Sequence, residues 1–112
     1  MLRISAMSYA WTMSEIEQVA GESWEEWVAD NDAVVLDVRQ PDEWEQGTLP
    51  GVTRISMTEI MDRINELPQD RSILCVCRSG GRSQQVAAYL AHNEYSNVAN
   101  LVGGMHALGL QS

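Results

Sequence analysis

Two short apolar runs constrain the fold of this chain more than any other feature. Residues 33–38 and 72–77 are almost continuously apolar and rich in Val, Ile and Leu, which is typical of strands that are buried on both faces. Segments with helical spacing lie between and after these runs. Such alternation of strands and helices predicts an α/β domain with a mainly parallel central sheet flanked by helices in three layers.

The remaining segments supply the other predicted elements. We expect extended segments at 16–19, 52–55 and 97–101, and helices at 24–29, from Pro41, at 56–67, from Ser83 and after 103–104. Ser23 and Ser56 are each followed by Glu three residues later, which predicts two capping boxes. In helix 56–67, Met61 is expected to face inward together with its apolar neighbours. Residues 1–13 show no period, so we expect an irregular arm there and a domain over 14–112.

The charge of the chain argues against one broad class of function. The formal net charge is -9, whereas general nucleic-acid binding needs an excess of cations. No apolar run approaches the ~20 residues that span a bilayer, and residues 1–7 lack the long apolar core of a secretory signal. We therefore expect neither nucleic acid nor membrane as a partner, and a cytoplasmic location.

Charge is also distributed unevenly along the chain. Residues 1–45 contain eleven of the sixteen acidic residues, whereas residues 71–93 contain three Arg and no Asp or Glu. A locally positive segment can attract an anion that the rest of the protein would repel. An ordinary helix with a few surface Arg residues is the alternative.

The two cysteines are expected to be free thiols. Cys75 and Cys77 are too close for an unstrained disulfide within an extended strand. A structural zinc site needs about four Cys or His ligands, and His92 and His106 lack the corresponding spacing. We expect no metal and no cofactor, and free thiols suit a reducing compartment.

The segment after the second apolar run has the features of a reactive site. Cys77 ends that run, and ligands of open α/β sheets bind beyond the carboxyl ends of strands. The helix that follows presents N–H groups and a positive dipole end to an anion in the loop. Gly80 and Gly81 allow the loop to turn its amides toward one centre.

Those amides, with Arg78 and Arg82, would lower the pKa of the Cys77 thiol. A thiol activated in this way needs no histidine as a general base. Neither His92 nor His106 lies near Cys77 in sequence.

Four ordered motifs resemble those of the rhodanese homology domain. They are segment 36–39 followed by Glu43, segment 47–52, the loop that begins at Cys77, and the paired glycines 103–104. Residues from about 34 to 105 are similar to the family in the order and spacing of these motifs. The resemblance implies the rhodanese-like fold and a single-domain sulfurtransferase.

The resemblance also implies a reaction and its residues. A cysteine, here Cys77, takes a sulfur atom from thiosulfate or a related small anionic donor and passes it from a persulfide to cyanide or a thiol. Substrate binding falls to the loop residues, which are Arg78, Ser79, Gly80, Gly81, Arg82 and Ser83. A structural ion pair is the alternative role for Arg82.

Other functions are compatible with the same loop. Related phosphatases place five residues between Cys and Arg, whereas four separate Cys77 from Arg82, a narrower ring that suits a sulfur atom better than phosphate. A persulfide carrier would use the same chemistry to deliver sulfur to a partner protein. A noncatalytic binding module would share the fold alone.

Several residues outside the loop are expected to be structural. Arg39 and Glu43, four residues apart, are predicted to form an ion pair, and Asp37 to accept hydrogen bonds from nearby main-chain amides. Cys75 is predicted to be a small core residue, with resolution of a persulfide as the alternative. Family members often have His at the position of Thr48 and a Trp soon after the paired glycines, so the rim formed by residues 105–108 departs from the pattern.

Overall fold

Five parallel strands form the sheet. The computed structural model describes residues 16–110, in which β1 is Glu17–Val19, β2 is Val34–Asp37, β3 is Thr53–Arg54, β4 is Ile73–Val76 and β5 is Val98–Leu101. Their order across the sheet is β1-β5-β4-β2-β3, and every described pair is parallel. The two apolar runs of the sequence therefore form β2 and β4, each paired on both sides, which confirms the predicted sheet.

Short helices connect the strands. They are α1 (Trp24–Asn31), α2 (Pro41–Trp44), α3 (Ile60–Arg63), α4 (Gly81–His92) and α5 (Gly104–Ala107), with 3₁₀ turns at Gly21–Ser23, Met57–Glu59 and Ile64–Glu66. Within residues 16–110, none of the helices has the length and apolar character needed to cross a bilayer.

Alternation along the strands divides the core between the two faces of the sheet. On β4, Ile73 and Cys75 belong to the apolar cluster beneath α3 and α4. Leu74 and Val76 belong to the cluster beneath α1 and α5. The sheet therefore lies between two layers of helices, as predicted.

The helix predicted over 56–67 forms as a single α-helical turn between two 3₁₀ turns. The Leu67 amide donates to the Ile64 carbonyl at 3.0 Å, an i to i−3 bond that closes the segment as a 3₁₀ turn. The hydroxyl of Tyr95 lies 3.0 Å and 2.8 Å from the carbonyl oxygens of Ile64 and Leu67. The predicted inward orientation of Met61 is wrong, since its side chain is 70% exposed.

The two predicted capping boxes are also wrong. Neither Ser23 nor Ser56 makes a side-chain capping bond to its helix. Ser23 is itself the last residue of a 3₁₀ turn, and Ser56 precedes a 3₁₀ turn rather than a regular α-helical start. The hydroxyl of Ser56 instead lies 2.9 Å from that of Thr58. A reciprocal contact of this type occurs at α2, where the amide of Gln40 donates to the Glu43 carboxylate at 3.0 Å.

The predicted arm at 1–13 and the start of the domain at residue 14 lie outside the described residues, and both stay predictions. β1 and α1 lie close to the segments predicted at 16–19 and 24–29.

Candidate active site

The loop between β4 and α4 curls around the side chain of Cys77. Residue 77 directly follows β4 at the carboxyl edge of the sheet, and α4 begins four residues later at Gly81. Gly80 precedes the helix with a φ of 106°, a left-handed conformation that a glycine adopts without steric cost. The helix was predicted from Ser83 but begins two residues earlier, at Gly81, so Ser83 lies in its first turn.

Several hydrogen-bond donors face the sulfur of Cys77. The amide of Gly80 donates to Sγ at 3.0 Å, and the hydroxyl of Ser83 lies 3.3 Å from it. Burial of this thiol, which is 1% exposed, opposes its ionisation. Hydrogen bonds from the Ser83 side chain and from the main chain of Ser83, Gly80 and Ser79 outweigh that effect and hold the pKa of Cys77 below its ordinary value. The loop therefore stabilises negative charge on this sulfur.

Two carbonyl groups of the loop accept hydrogen bonds from the start of α5. The amide of Met105 donates to the Cys77 carbonyl at 2.8 Å, and that of His106 donates to the Arg78 carbonyl at 2.9 Å. A Cβ atom on Gly104 would lie 2.3 Å from the Cys77 carbonyl oxygen, so this close approach requires glycine. The start of α5 thus accounts for the paired glycines in the sequence.

One of the two arginines in the predicted site pairs with a carboxylate. Arg82 donates to both oxygens of Glu43, at 2.7 Å and 2.8 Å, and this interaction raises its pKa despite partial burial. Glu43 lies on α2, so the ion pair connects that helix to the start of α4. Arg78 is exposed on the loop.

A buried ion pair positions α2 in turn. Arg39 donates to the Asp37 carboxylate at 2.8 Å and to the Gly47 carbonyl at 2.7 Å, and both charged side chains are essentially buried. Asp37 also accepts the main-chain amide of Arg39 at 3.1 Å, as predicted for this carboxylate. Arg39 also donates to the main-chain carbonyl of Glu43 at 3.4 Å with one terminal nitrogen, and the Glu43 carboxylate accepts two hydrogen bonds from Arg82. The predicted Arg39–Glu43 ion pair stays a prediction.

A shallow groove of about 460 Å³ adjoins the loop. Its lining consists of loop and glycine main chain, three amide side chains and one apolar side chain: Ser79, Gly80, Gly81, Gly103, Gln18, Gln84, Asn100 and Val102. Sequence reasoning missed Gln18 and Asn100. A polar residue inside each predicted strand was the available signal.

Cys75 has an environment unlike that of Cys77. It is fully buried on β4, and burial raises the pKa of its thiol well above the ordinary range. Across residues 16–110, no group of three or more His, Cys, Asp or Glu side chains is arranged to bind a metal ion. Of the predicted loop residues, Ser79, Gly80 and Ser83 direct hydrogen-bond donors at the Cys77 sulfur, whereas the Arg82 guanidinium pairs with Glu43.

The family follows from a comparison with known proteins. Residues 21–110 match the model of the rhodanese-like domain. The chain belongs to the rhodanese family. Its rhodanese-like domain accounts for all the strands from β2 to β5 and for every described helix.

Curated relatives of this rhodanese are named for sulfur transfer. A sulfurtransferase from Allochromatium vinosum is 40% identical over 82% of this chain and 87% of its own length. A thiosulfate sulfurtransferase, GlpE, from Pseudomonas entomophila is 35% identical over 82% of this chain and 84% of its own length. A putative sulfur carrier protein, YrkF, from Bacillus subtilis is 33% identical over 82% of this chain but only 50% of its own length. The names of these three relatives all refer to sulfur transfer or sulfur carriage.

The fold is also similar to that of a solved structure. A rhodanese-like domain protein from Staphylococcus aureus superposes with a TM-score of 0.75 at 28% identity, over 82% of this chain and 90% of that one.

Proposed function

We propose that this rhodanese moves a sulfane sulfur from thiosulfate, or a related small anionic donor, to cyanide or a thiol through a persulfide on Cys77. The observation that supports this most directly is the Gly80 amide at 3.0 Å from the Cys77 sulfur, with the Ser83 hydroxyl beside it. These donors hold the pKa of Cys77 below its ordinary value, which favours the thiolate, and a thiol activated in this way needs no separate base.

In the first half-reaction, the Cys77 thiolate attacks the outer sulfur of thiosulfate. A new sulfur–sulfur bond forms, the bond within thiosulfate breaks, and sulfite leaves with the electron pair. Negative charge then resides on the outer sulfur of the persulfide, where main-chain amides of the loop are suited to stabilise it.

In the second half-reaction, a nucleophilic acceptor attacks the outer sulfur. Cyanide leaves as thiocyanate, or a thiol leaves as a persulfide, and the Cys77 thiolate is restored. The sulfur atom is exchanged without net oxidation of the protein, so no cofactor is required.

The loop side chains have separate proposed roles. Arg78, exposed on the loop, steers and binds the anionic donor. Arg82 contributes its charge while its ion pair with Glu43 fixes the start of α4. Ser79, Gly80, Gly81 and Ser83 provide the main-chain groups of the loop.

A persulfide carrier that delivers sulfur to a protein acceptor is the second candidate. The openness of the groove beside the loop and its uncharged lining favour it, because a macromolecule can reach such a surface. The relative named as a putative sulfur carrier supports the same alternative. A phosphatase-like reaction is less favoured, since four residues separate Cys77 from Arg82.

We propose a cytoplasmic location because both thiols are free, and a reducing compartment preserves free thiols.

Thiocyanate formation from thiosulfate and cyanide tests the proposal. We expect activity in the wild type and in Cys75→Ser, and none in Cys77→Ser. Rapid loading of Cys77 with sulfur but slow transfer to cyanide would favour the carrier over the free-standing enzyme. Activity retained in Cys77→Ser would contradict both.

A further inference from the structure

A line of three polar side chains ends at the sulfur of Cys77. Asn100 of β5 is paired in register with Gln18 of β1 on one side and with Cys75 of β4 on the other. Residues in register on parallel strands face the same side of the sheet, so these side chains lie on the face of Cys77. Ser83 of α4 packs over that face and completes the line.

The direction of each hydrogen bond follows from the acceptors at the far end. The Nε2 group of Gln18 donates to the carbonyl of Ile16 at 3.1 Å and to Oε1 of Gln84 at 2.7 Å. Its Oε1 therefore faces Asn100, whose Nδ2 donates to it at 3.0 Å. Asn100 consequently presents Oδ1, which can only accept, to the Ser83 hydroxyl.

The hydroxyl of Ser83 has one hydrogen and three acceptors around it. Its Oγ lies 2.5 Å from Oδ1 of Asn100, 3.3 Å from Sγ of Cys77 and 3.3 Å from the carbonyl oxygen of Gly80. A neutral thiol is a weak acceptor, whereas an anion accepts strongly. The amide and the sulfur therefore compete for one proton, and the charge on the sulfur decides the outcome.

We propose that Asn100 is a positioning residue that keeps the Ser83 hydroxyl proton beside its own Oδ1 while Cys77 is a thiol, and yields that proton when the sulfur ionises. The inference rests on the proposed function only in that Cys77 is the reactive thiol. Asn100 thereby limits how far the thiolate is stabilised. A less stabilised thiolate is the stronger nucleophile. Competition between Asn100 and the sulfur for the Ser83 proton therefore preserves the nucleophilicity of the Cys77 thiolate.

Other titratable groups lie on the elements that surround the sulfur. They include Asp37 and Arg39 at the end of β2, Glu43 of α2, Cys75 of β4, Arg78 of the loop, Arg82, Tyr89 and His92 of α4, and His106 of α5. Every variant used below leaves all of them unchanged. A change in the ionisation of Cys77 can then be attributed to the Ser83 hydroxyl.

The test is the rate of Cys77 alkylation by iodoacetamide as a function of pH, followed by intact mass. Asn100→Leu removes the competing acceptor at similar side-chain volume, so the thiolate fraction at acidic pH should rise about fivefold, the equivalent of one ordinary hydrogen bond. Because nucleophilicity falls with the pKa, alkylation should become about twofold faster at acidic pH and about twofold slower at the alkaline plateau. The two profiles should cross.

Ser83 provides the control that separates this role from a structural one. Ser83→Ala should move the profile to higher pH, and Asn100→Leu should have no further effect in that background. The proposal would be overturned if Asn100→Leu shifted the alkylation profile equally in the wild type and in the Ser83→Ala background. Slower alkylation of Asn100→Leu than of the wild type at acidic pH would also overturn it.

Gln18→Leu gives a second variant at an exposed position, for use if Asn100→Leu fails to fold. Release of the Asn100 amide should change the profile in the same direction by a smaller amount, and an unchanged profile would overturn the proposal. Loss of sulfur transfer with these alkylation profiles intact would count against the proposed function alone.

Discussion

Arg82 donates two hydrogen bonds to the carboxylate of Glu43, at 2.7 Å and 2.8 Å, across 39 residues of the chain. The side chain of Arg82 is 32% exposed and that of Glu43 is 14% exposed. A bidentate pair at this depth is stronger than an exposed surface pair. It joins the helix after β2 to the helix that begins at the reactive loop, so it links the predicted motif around Glu43 to the motif around Cys77.

Glu43→Gln should therefore destabilise the domain by about 1–2 kcal/mol, because it removes the charge partner of Arg82. Arg82→Ala should cost a similar amount. In the double variant the two losses should not add, because they remove the same interaction. Urea unfolding of the three variants measures this, and additive losses would contradict the direct coupling.

Thiosulfate kinetics of the same two variants separate the two roles of Arg82. Arg82→Ala removes the cation, whereas Glu43→Gln retains it, so we expect a larger rise in KM for Arg82→Ala. An equal rise in KM in both variants would show that Arg82 acts only through its structural ion pair with Glu43.

Gly104→Ala should destabilise the domain severely, by about 4 kcal/mol or more. The added Cβ would lie 2.3 Å from the Cys77 carbonyl oxygen and 2.7 Å from the main chain of Arg78, at a φ of 56°. Gly109→Ala is the matched control, since its φ of 73° is also positive but nothing lies within 4 Å of the added Cβ. That control should lose only about 1 kcal/mol. Thermal unfolding of both variants tests the difference, and equal losses would show that steric contact with the loop is unimportant.

Much of this arrangement could be predicted from the sequence because it depends on local patterns. Continuous apolar runs predicted β2 and β4, and the glycines between Cys77 and Ser83 predicted a loop that turns its amides inward. Contacts between distant segments could not be predicted in this way. The ion pair between Glu43 and Arg82 spans 39 residues of the chain, and no local spacing indicated it.

The polar residues of the groove were missed for a related reason. Asn100 lies within a predicted strand and Gln18 within another, and their contact depends on β1 and β5 being neighbours. Strand order is not contained in the local pattern of either segment. The prediction for Met61 failed for a different reason. Its apolar character indicated burial, but α3 is a single turn in which Ile60 is buried and Met61 is exposed.

Asp37→Asn should destabilise the domain by about 3–5 kcal/mol, because Arg39 would become a buried cation without its charge partner. Arg63→Gln is the control, since Arg63 pairs with Glu59 and Glu66 in an exposed position and its loss should be far less destabilising. Chemical denaturation measures both, and a small effect of Asp37→Asn would contradict the structural importance of this buried pair.

Alkylation of Cys77 should persist at a pH below that of an ordinary thiol. Burial opposes ionisation, but the hydrogen bonds from Ser83, Gly80 and Ser79 lower the pKa of Cys77. The reactive thiolate is therefore present above the lowered pKa and is lost as the pH falls through it. The measurement is the pH dependence of iodoacetamide labelling, with a free cysteine peptide of pKa ~8.5 as the reference. A midpoint at or above that of the peptide would contradict the stabilisation of the thiolate.

Cys75 should remain unlabelled under the same conditions. Its thiol is fully buried and its pKa is raised, so Cys77→Ser should take up no iodoacetamide while folded and one equivalent in urea. Rapid labelling of folded Cys77→Ser would contradict the assignment of Cys75 to the core.

The intact mass after incubation with thiosulfate tests the central claim most directly. The wild type and Cys75→Ser should each gain the mass of one sulfur atom and lose it again on addition of cyanide. Cys77→Ser should gain nothing. A sulfur adduct that forms on Cys77→Ser, or its absence from folded wild-type protein, would contradict a persulfide on Cys77.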